Sequence, residues 1–258
     1  MPDKPLPVSC LFVHGWGMNH SVWQPVREKL PAWIEACAID LPGHGQRSSE
    51  SFNSLQSLTA DIRAQCEKAK KPGQALVLVG WSLGALACLK LLSEEFSQVD
   101  ALLVVSSNPC FVSRDDWEGG ISAEVFDQFG ESLKADFPGT IRRFLSLQVK
   151  GSESGRATLR NLREKILQQP VPDAASLDAG LEILKQVDLR SSLPSIKQPV
   201  SWALGAKDGL VKAELSDELT RLMKSAEVKV YDNAGHAPFL SDADEFVQQL
   251  MTFIKRYT

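Results

Sequence analysis

The sequence predicts a doubly wound α/β fold: a mostly parallel sheet, helices on both faces, and a helical insertion between two of its strands. Three observations predict it. Short apolar runs alternate with longer amphipathic stretches along the chain. The runs are apolar throughout rather than alternating, as strands are when helices cover both faces of a parallel sheet. The rhythm breaks once, between about Val112 and Val187, where no strand run occurs.

Val8–Val13 reads as the first strand, ending at His14-Gly15. Ala36–Asp40 is the second, stopped by Pro42-Gly43. Ala75–Val79 and Ala101–Val105 are the third and fourth, Val200–Leu204 and Val228–Tyr231 the fifth and sixth. Helical patterns fall between them, near 22–30, 55–69, 83–95, 212–223 and 242–256. Inside the break, helices are predicted over Ala123–Ala135, Thr140–Val149, Arg156–Gln168 and Ser176–Gln186. About 75 residues would make a very long simple crossover. The segment 112–187 therefore reads as a helical cap, and 1–111 with 188–258 as the core.

A length of 258 residues suits one α/β domain carrying an insertion. With 43% apolar and 23% charged residues, the chain can bury a proper core and is not disordered. The net charge of −4 argues against a general nucleic-acid binder. Five cysteines at wide spacings, with no C-x-x-C pair, signal neither a zinc site nor a disulfide framework. Cys10, Cys37 and Cys88 sit in apolar runs and read as small core residues, which fits a reducing compartment. Met1–Pro7 has three prolines and no apolar h-region, so it does not read as a signal peptide. No apolar run reaches the ~20 residues of a spanning helix. These features predict a cytoplasmic protein, with no metal or organic cofactor indicated and nothing suggesting other than a monomer.

The sharpest chemical signal is Gly80-Trp81-Ser82-Leu83-Gly84, between a predicted strand and a predicted helix. That is the context a G-x-S-x-G nucleophile elbow requires. The small flanking residues let the backbone turn tightly and present Ser82 at the carboxyl edge of the sheet. A serine hydroxyl needs a base to take its proton. Of four histidines, His14 and His44 sit in glycine-rich loops and His20 reads as plainly exposed. His236, in Asn233-Ala234-Gly235-His236-Ala237-Pro238-Phe239, follows the last strand and is the chosen base. Asp208, in the turn after the fifth strand, is the predicted acid that holds the His236 tautomer. Asp188 is its closest rival but precedes that strand, and Asp232 lies too near His236. Two backbone N–H groups should hold the oxyanion: that of Leu83, after the nucleophile, and that of Trp16, in His14-Gly15-Trp16-Gly17.

With these residues in place, the chain resembles an α/β-hydrolase over nearly its whole length. More narrowly it is similar to the pimeloyl-ACP methyl ester esterases of biotin synthesis. Phe12-Val13-His14-Gly15-Trp16-Gly17-Met18-Asn19 and Asp40-Leu41-Pro42-Gly43-His44-Gly45 are widespread motifs of the superfamily. The narrower likeness rests on the elbow, Ser106-Ser107-Asn108-Pro109-Cys110-Phe111, Arg143-Phe144-Leu145-Ser146-Leu147-Gln148, Gly180-Leu181-Glu182-Ile183-Leu184-Lys185, Asp188-Leu189-Arg190 and Gly235-His236-Ala237-Pro238-Phe239. The resemblance implies a serine carboxylesterase that frees methanol from a methylated diacid carried on acyl carrier protein. It implies a substrate-binding set of Trp16, Ser82, Leu83, Phe144, Leu145, Ser146, Leu147, Gln148 and His236, with Trp81, Phe144, Leu145 and Leu147 as candidate walls of an apolar channel. The family usually has a β-hairpin before the first strand. About seven residues stand there in this chain, so a shortened N-terminal edge is expected.

Segment 139–165 carries Arg142, Arg143, Lys150, Arg156, Arg160, Arg163 and Lys165 against Glu153 and Glu164. This local surplus of +5 leaves −9 for the rest of the chain. Arg156, Arg160 and Arg163 fall on one helical face, with Leu159, Leu162 and Ile166 opposite. Since acyl carrier proteins are strongly acidic, the resemblance makes Arg143, Arg156 and Arg160 a candidate docking patch. Two other readings use the same residues: a broad short-chain esterase or C–C bond hydrolase, and a ligand receptor on a hydrolase scaffold. A dehalogenase or epoxide hydrolase is disfavoured, because those place Asp at the nucleophile position.

Overall fold

The computed structural model describes residues 7–149 and 152–257. Met1–Leu6 and Lys150 lie outside the described residues, as do the side chains of Leu162 and Arg163.

Six strands form one fully parallel sheet in the order β2-β1-β3-β4-β5-β6. They are β1 Val8–Val13, β2 Ile34–Ile39, β3 Ala75–Trp81, β4 Ala101–Val105, β5 Val200–Gly205 and β6 Glu227–Tyr231. All six predicted strands are present. The helices are α1 Gln24–Arg27, α2 Leu55–Ala69, α3 Leu83–Ser93, α4 Ala123–Ala135, α5 Phe137–Gln148, α6 Glu153–Leu167, α7 Ala174–Gln186, α8 Ser216–Leu222, α9 Pro238–Ser241 and α10 Ala243–Tyr257. The helix expected near 22–30 is shorter: a 3-10 turn at His20–Trp23 runs into the single turn of α1.

The central strands β1, β3, β4 and β5 are buried along essentially their whole length, which explains their unbroken apolar runs. β2 is an edge, and no strand lies beyond it among the described residues. Its far side is incompletely covered, so Cys37 is exposed, not part of the core. Cys10 and Cys88 are buried as expected, and so are Cys66 and Cys110.

Side-chain caps set the helix starts. Ser54 and Ser57 form a reciprocal capping box on α2. Asp136, Ser152 and Asp173 accept backbone N–H groups at the first turns of α5, α6 and α7. α10 buries Phe246, Val247, Leu250, Phe253 and Ile254 along one face. Helices α4 to α7 all fall between β4 and β5 in sequence.

The sheet order reverses between β1 and β3, which leave their neighbours in opposite directions. A crevice opens beyond the carboxyl ends of strands at such a point. The register pairs Val13 with Gly80 and Trp81 with Val105. The loops that begin at His14, Ser82 and Ser106 therefore rise side by side.

Candidate active site

Ser82 sits between β3 and α3 with φ 53° and ψ −119°, in the left-handed half of backbone space. Packing on both sides enforces the turn. A Cβ on Gly80 would lie 2.6 Å from Ala85 Cα, and one on Gly84 would lie 2.4 Å from the His14 carbonyl oxygen. Both neighbours are backbone atoms that cannot swing aside. The Ser107 hydroxyl donates to the Ser82 carbonyl at 3.0 Å and steadies the turn from β4. Ser82 occupies the N-cap position of α3, yet its side chain makes no capping bond. The hydroxyl is left to the cavity.

The loop after β5 brings Asp208 to His236. Asp208 Oδ1 accepts the N–H groups of Leu210 (2.8 Å) and Val211 (3.2 Å). Its Oδ2 stands 2.8 Å from His236 Nδ1, with both side chains almost fully buried. A carboxylate only accepts, so Nδ1 carries the proton and Nε2 offers its lone pair. Among the described residues Nε2 has no hydrogen-bond partner. The rival acids are placed elsewhere: Asp188 pairs with Arg190 at 2.7 Å, and Asp232 is exposed.

His236 is framed by two further bonds. Trp81 Nε1 donates to its carbonyl at 2.7 Å, and the N–H of Ala237 donates to the Gln148 carbonyl at 2.9 Å. Trp81 thus backs the histidine loop, its ring 5.1 Å from that of Phe239, and is not a cavity wall. The sequence reading of Trp81 as a wall is corrected accordingly.

The N–H of Leu83 opens α3, where no carbonyl of its own helix is in register. The N–H of Trp16 makes no hydrogen bond among the described residues. Gly15 brings the Trp16 loop against the elbow, since a Cβ there would stand 3.1 Å from Ser82 Cβ. Two histidines hold that loop from behind. His14 Nε2 accepts the N–H of Leu41 at 3.0 Å while Nδ1 faces the Gly15 carbonyl at 2.8 Å. His44 Nε2 accepts the N–H of Gly17 at 3.3 Å while Nδ1 faces the Pro42 carbonyl at 3.0 Å. Each ring needs one protonated and one bare nitrogen. Burial pushes the His14 imidazole down to about 3, with His44 acting in the same direction. Burial also lowers His44. His20 is not simply exposed: its Nδ1 lies 2.9 Å from Asp40 Oδ2, and its own N–H donates to Oδ1 at 2.7 Å.

Ser82, Asp208 and His236 border one cavity of about 300 Å³. Its other walls are almost wholly apolar. Val125, Phe126 and Phe129 come from α4, Phe144 and Leu147 from α5, Leu181 and Leu184 from α7. The Trp16 ring meets Phe129 and Phe144 edge-on at 5.2 and 5.4 Å, and its Nε1 donates to the Leu177 carbonyl at 2.8 Å. Val125 and Leu147 are 45% and 57% exposed, which marks the mouth between α4 and α5.

A family model described as alpha/beta hydrolase fold matches residues 10–243. The chain belongs to the α/β-hydrolase family. It is 38% identical over 242 residues to the pimeloyl-[acyl-carrier protein] methyl ester esterase of Salmonella newport (strain SL254), covering 94% of this chain and 92% of that one. The esterase EaEST from Exiguobacterium antarcticum shares the fold with TM-score 0.86 at 20% identity, over 98% of this chain and 93% of that one. The enol-lactonase from Burkholderia xenovorans LB400 does so with TM-score 0.81 at 18% identity, over 99% and 94%. With esterase relatives along nearly its full length, this hydrolase is a carboxylic ester hydrolase.

Of the substrate-binding set named from sequence, this hydrolase brings Trp16, Ser82, Phe144, Leu147, Gln148 and His236 to the cavity. Leu145 and Ser146 do not reach it. Leu145 is buried in the hydrophobic core, and the exposed Ser146 hydroxyl donates to the Arg142 carbonyl. Adjacent residues of a helix point about 100° apart, so one run cannot line a wall throughout. Leu83 is fully buried, its side chain beside Gly180 of α7, and is not among the residues that line the cavity. The α4 and α7 walls, with Phe111, Ile121 and Leu210, were missed from sequence. Their signal was an apolar helical stripe, which a core-facing helix shares. Among the candidate docking residues, Arg143, Arg156 and Arg160 are exposed. Arg143 stands one turn before Leu147 at the mouth, while Leu159 and Ile166 are buried on the other side of α6. Among the described residues no helix is long and apolar enough to cross a membrane.

Proposed function

We propose that this protein hydrolyses the methyl ester of pimeloyl-[acyl-carrier protein] methyl ester to pimeloyl-[acyl-carrier protein] and methanol. The observation that carries the reading is His236, fixed by Asp208 through Nδ1 and open at Nε2, beside Ser82 in an apolar cavity. Ser82 attacks the ester carbonyl as His236 takes its proton, a contact that tightens once substrate is bound. The N–H groups of Trp16 and Leu83 stabilise the oxyanion. His236 protonates departing methanol, and water then releases the acid.

Residues 112–187 serve as a cap over a core of 1–111 and 188–258. Phe144, Leu147 and Gln148 line the path of the methylene chain. The apolar walls suit a neutral ester, whereas an ionised product there has few polar partners and is driven out. The bulky carrier stays outside, which spares its thioester, and docks its acidic surface on Arg143, Arg156 and Arg160. The reading carries with it a cytoplasmic monomer. The decisive experiment compares wild type and Ser82→Ala on pimeloyl-[acyl-carrier protein] methyl ester and on free methyl esters. Turnover should favour the carrier-bound ester and vanish in the variant. Equal kcat/KM for both substrates would reduce the reading to a broad esterase, and no turnover of either would leave a receptor.

A further inference from the structure

Gln148 is 1% exposed and lines the cavity beside the catalytic pair. Its Nε2 donates to the Phe144 carbonyl at 2.8 Å. A carbonyl accepts and cannot donate, so this bond fixes which end of the carboxamide is nitrogen. The other end, Oε1, is buried and has no partner among the described residues. A buried unpaired oxygen of this kind is costly unless something fills the position. The second orphaned atom on this wall is His236 Nε2. The Ala237 N–H bond to the Gln148 carbonyl holds the two residues next to each other. Gln148 and His236 thus both line the mostly apolar cavity, each carries an unpaired acceptor, and one backbone bond ties their segments together.

We propose that Gln148 is a positioning residue for the hydrolytic water. It acts in the second half of the reaction, and the inference rests on the serine-esterase reading above. A water molecule attacking the acyl group on Ser82 has two hydrogens. One goes to His236 Nε2 and is the proton removed. The other needs an acceptor, because a water in an apolar site is held only through several polar partners. Gln148 Oε1 is that acceptor. The step then balances. An O–H bond of water breaks, its proton passes to His236, and the oxygen bonds to the acyl carbon. Collapse breaks the bond to Ser82 Oγ, which takes the proton back from His236, and the free acid leaves.

An alcohol separates this role from a structural one. Methanol has a single O–H, which His236 consumes, and its methyl group needs no acceptor. Acyl transfer to methanol should therefore depend on Gln148 less than transfer to water does. The test uses p-nitrophenyl butanoate with added methanol, measuring butanoate against methyl butanoate in wild type, Gln148→Met and Gln148→Leu. Both variants should shift the product ratio toward methyl butanoate by about tenfold, the worth of one hydrogen bond. The ratio is set within each active molecule, so a lowered fraction of folded enzyme does not move it. An unchanged ratio in either active variant overturns the proposal. Absence of a Ser82-linked acyl-enzyme in wild type would instead overturn the esterase mechanism, and mass spectrometry of the trapped enzyme distinguishes that failure.

Discussion

Ser82 combines two demands that oppose each other. As the proposed nucleophile it must stand clear of the backbone, and as the hinge of the elbow it must hold φ 53°. A non-glycine residue there costs about 1–3 kcal/mol. Ser82→Gly and Ser82→Ala should both be inactive, with the glycine variant more stable by about 1 kcal/mol in equilibrium urea unfolding. Equal stabilities would mean that the elbow is unstrained. Gly84→Ala should lose about 1–3 kcal/mol, since the added carbon meets the His14 carbonyl at 2.4 Å and Val13 Cγ1 at 2.8 Å. Asp208→Asn can no longer select the His236 tautomer. Its kcat should fall about 10⁴-fold with KM nearly unchanged. The thiols make a separate forecast. Cys10 and Cys66 are pushed up to about 12 by burial, and burial also raises Cys88 well above the usual thiol range. Cys37 should therefore be the thiol that a disulfide reagent labels in the folded protein, and Cys37→Ser should abolish that rapid phase.

The elements fix the acid limit of the fold. His14 and His44 must stay neutral to accept backbone N–H groups, and their pKa values in the folded chain are lowered. The unfolded chain takes up these protons first, so stability is whole above about 6.5 and falls toward about 3 for His14. Each histidine contributes at most about 1.4 kcal/mol per pH unit in that window. Urea midpoints measured across it should decline steadily with acid, and a flat profile would exclude the neutral-histidine account. Glycine-rich loops revealed that these histidines were near the site but gave no sign of that task. Which elements form was far more legible. Unbroken apolar runs located the central strands because four of the six are covered on both faces. Ser54, Asp136, Ser152 and Asp173 mark helix starts that sequence alone located within a few residues. The grouping of Ser82, Asp208 and His236 was legible because each follows a strand. The cavity walls were not, since Phe126 or Leu181 obeys one periodicity whether it meets another side chain or a substrate. β2 misled for the converse reason: an apolar run on an edge strand leaves Cys37 in solvent.

At the scale of the molecule, charge is divided rather than sparse. The sum of −4 combines a +5 segment, residues 139–165, with −9 elsewhere. If the basic segment receives an acidic carrier, replacing Arg143, Arg156 and Arg160 with Glu should raise KM for the carrier-bound ester. It should leave small esters untouched, and the difference should shrink as salt is added. Equal changes on both substrates would detach the patch from docking.

Trp16 gives the helical roof a second meaning. Its N–H is the oxyanion donor proposed above, while its indole is bonded to α7 and packed against α4 and α5. Roof and floor are therefore tied through one side chain: lifting the helices would drag away the group proposed to stabilise the transition state. On the proposed reading, a substrate would thread in past Val125 and Leu147, methyl ester end first, without the cap rising. Chain length would then be measured by how far a straight, narrow acyl chain can slide before its ester meets Ser82.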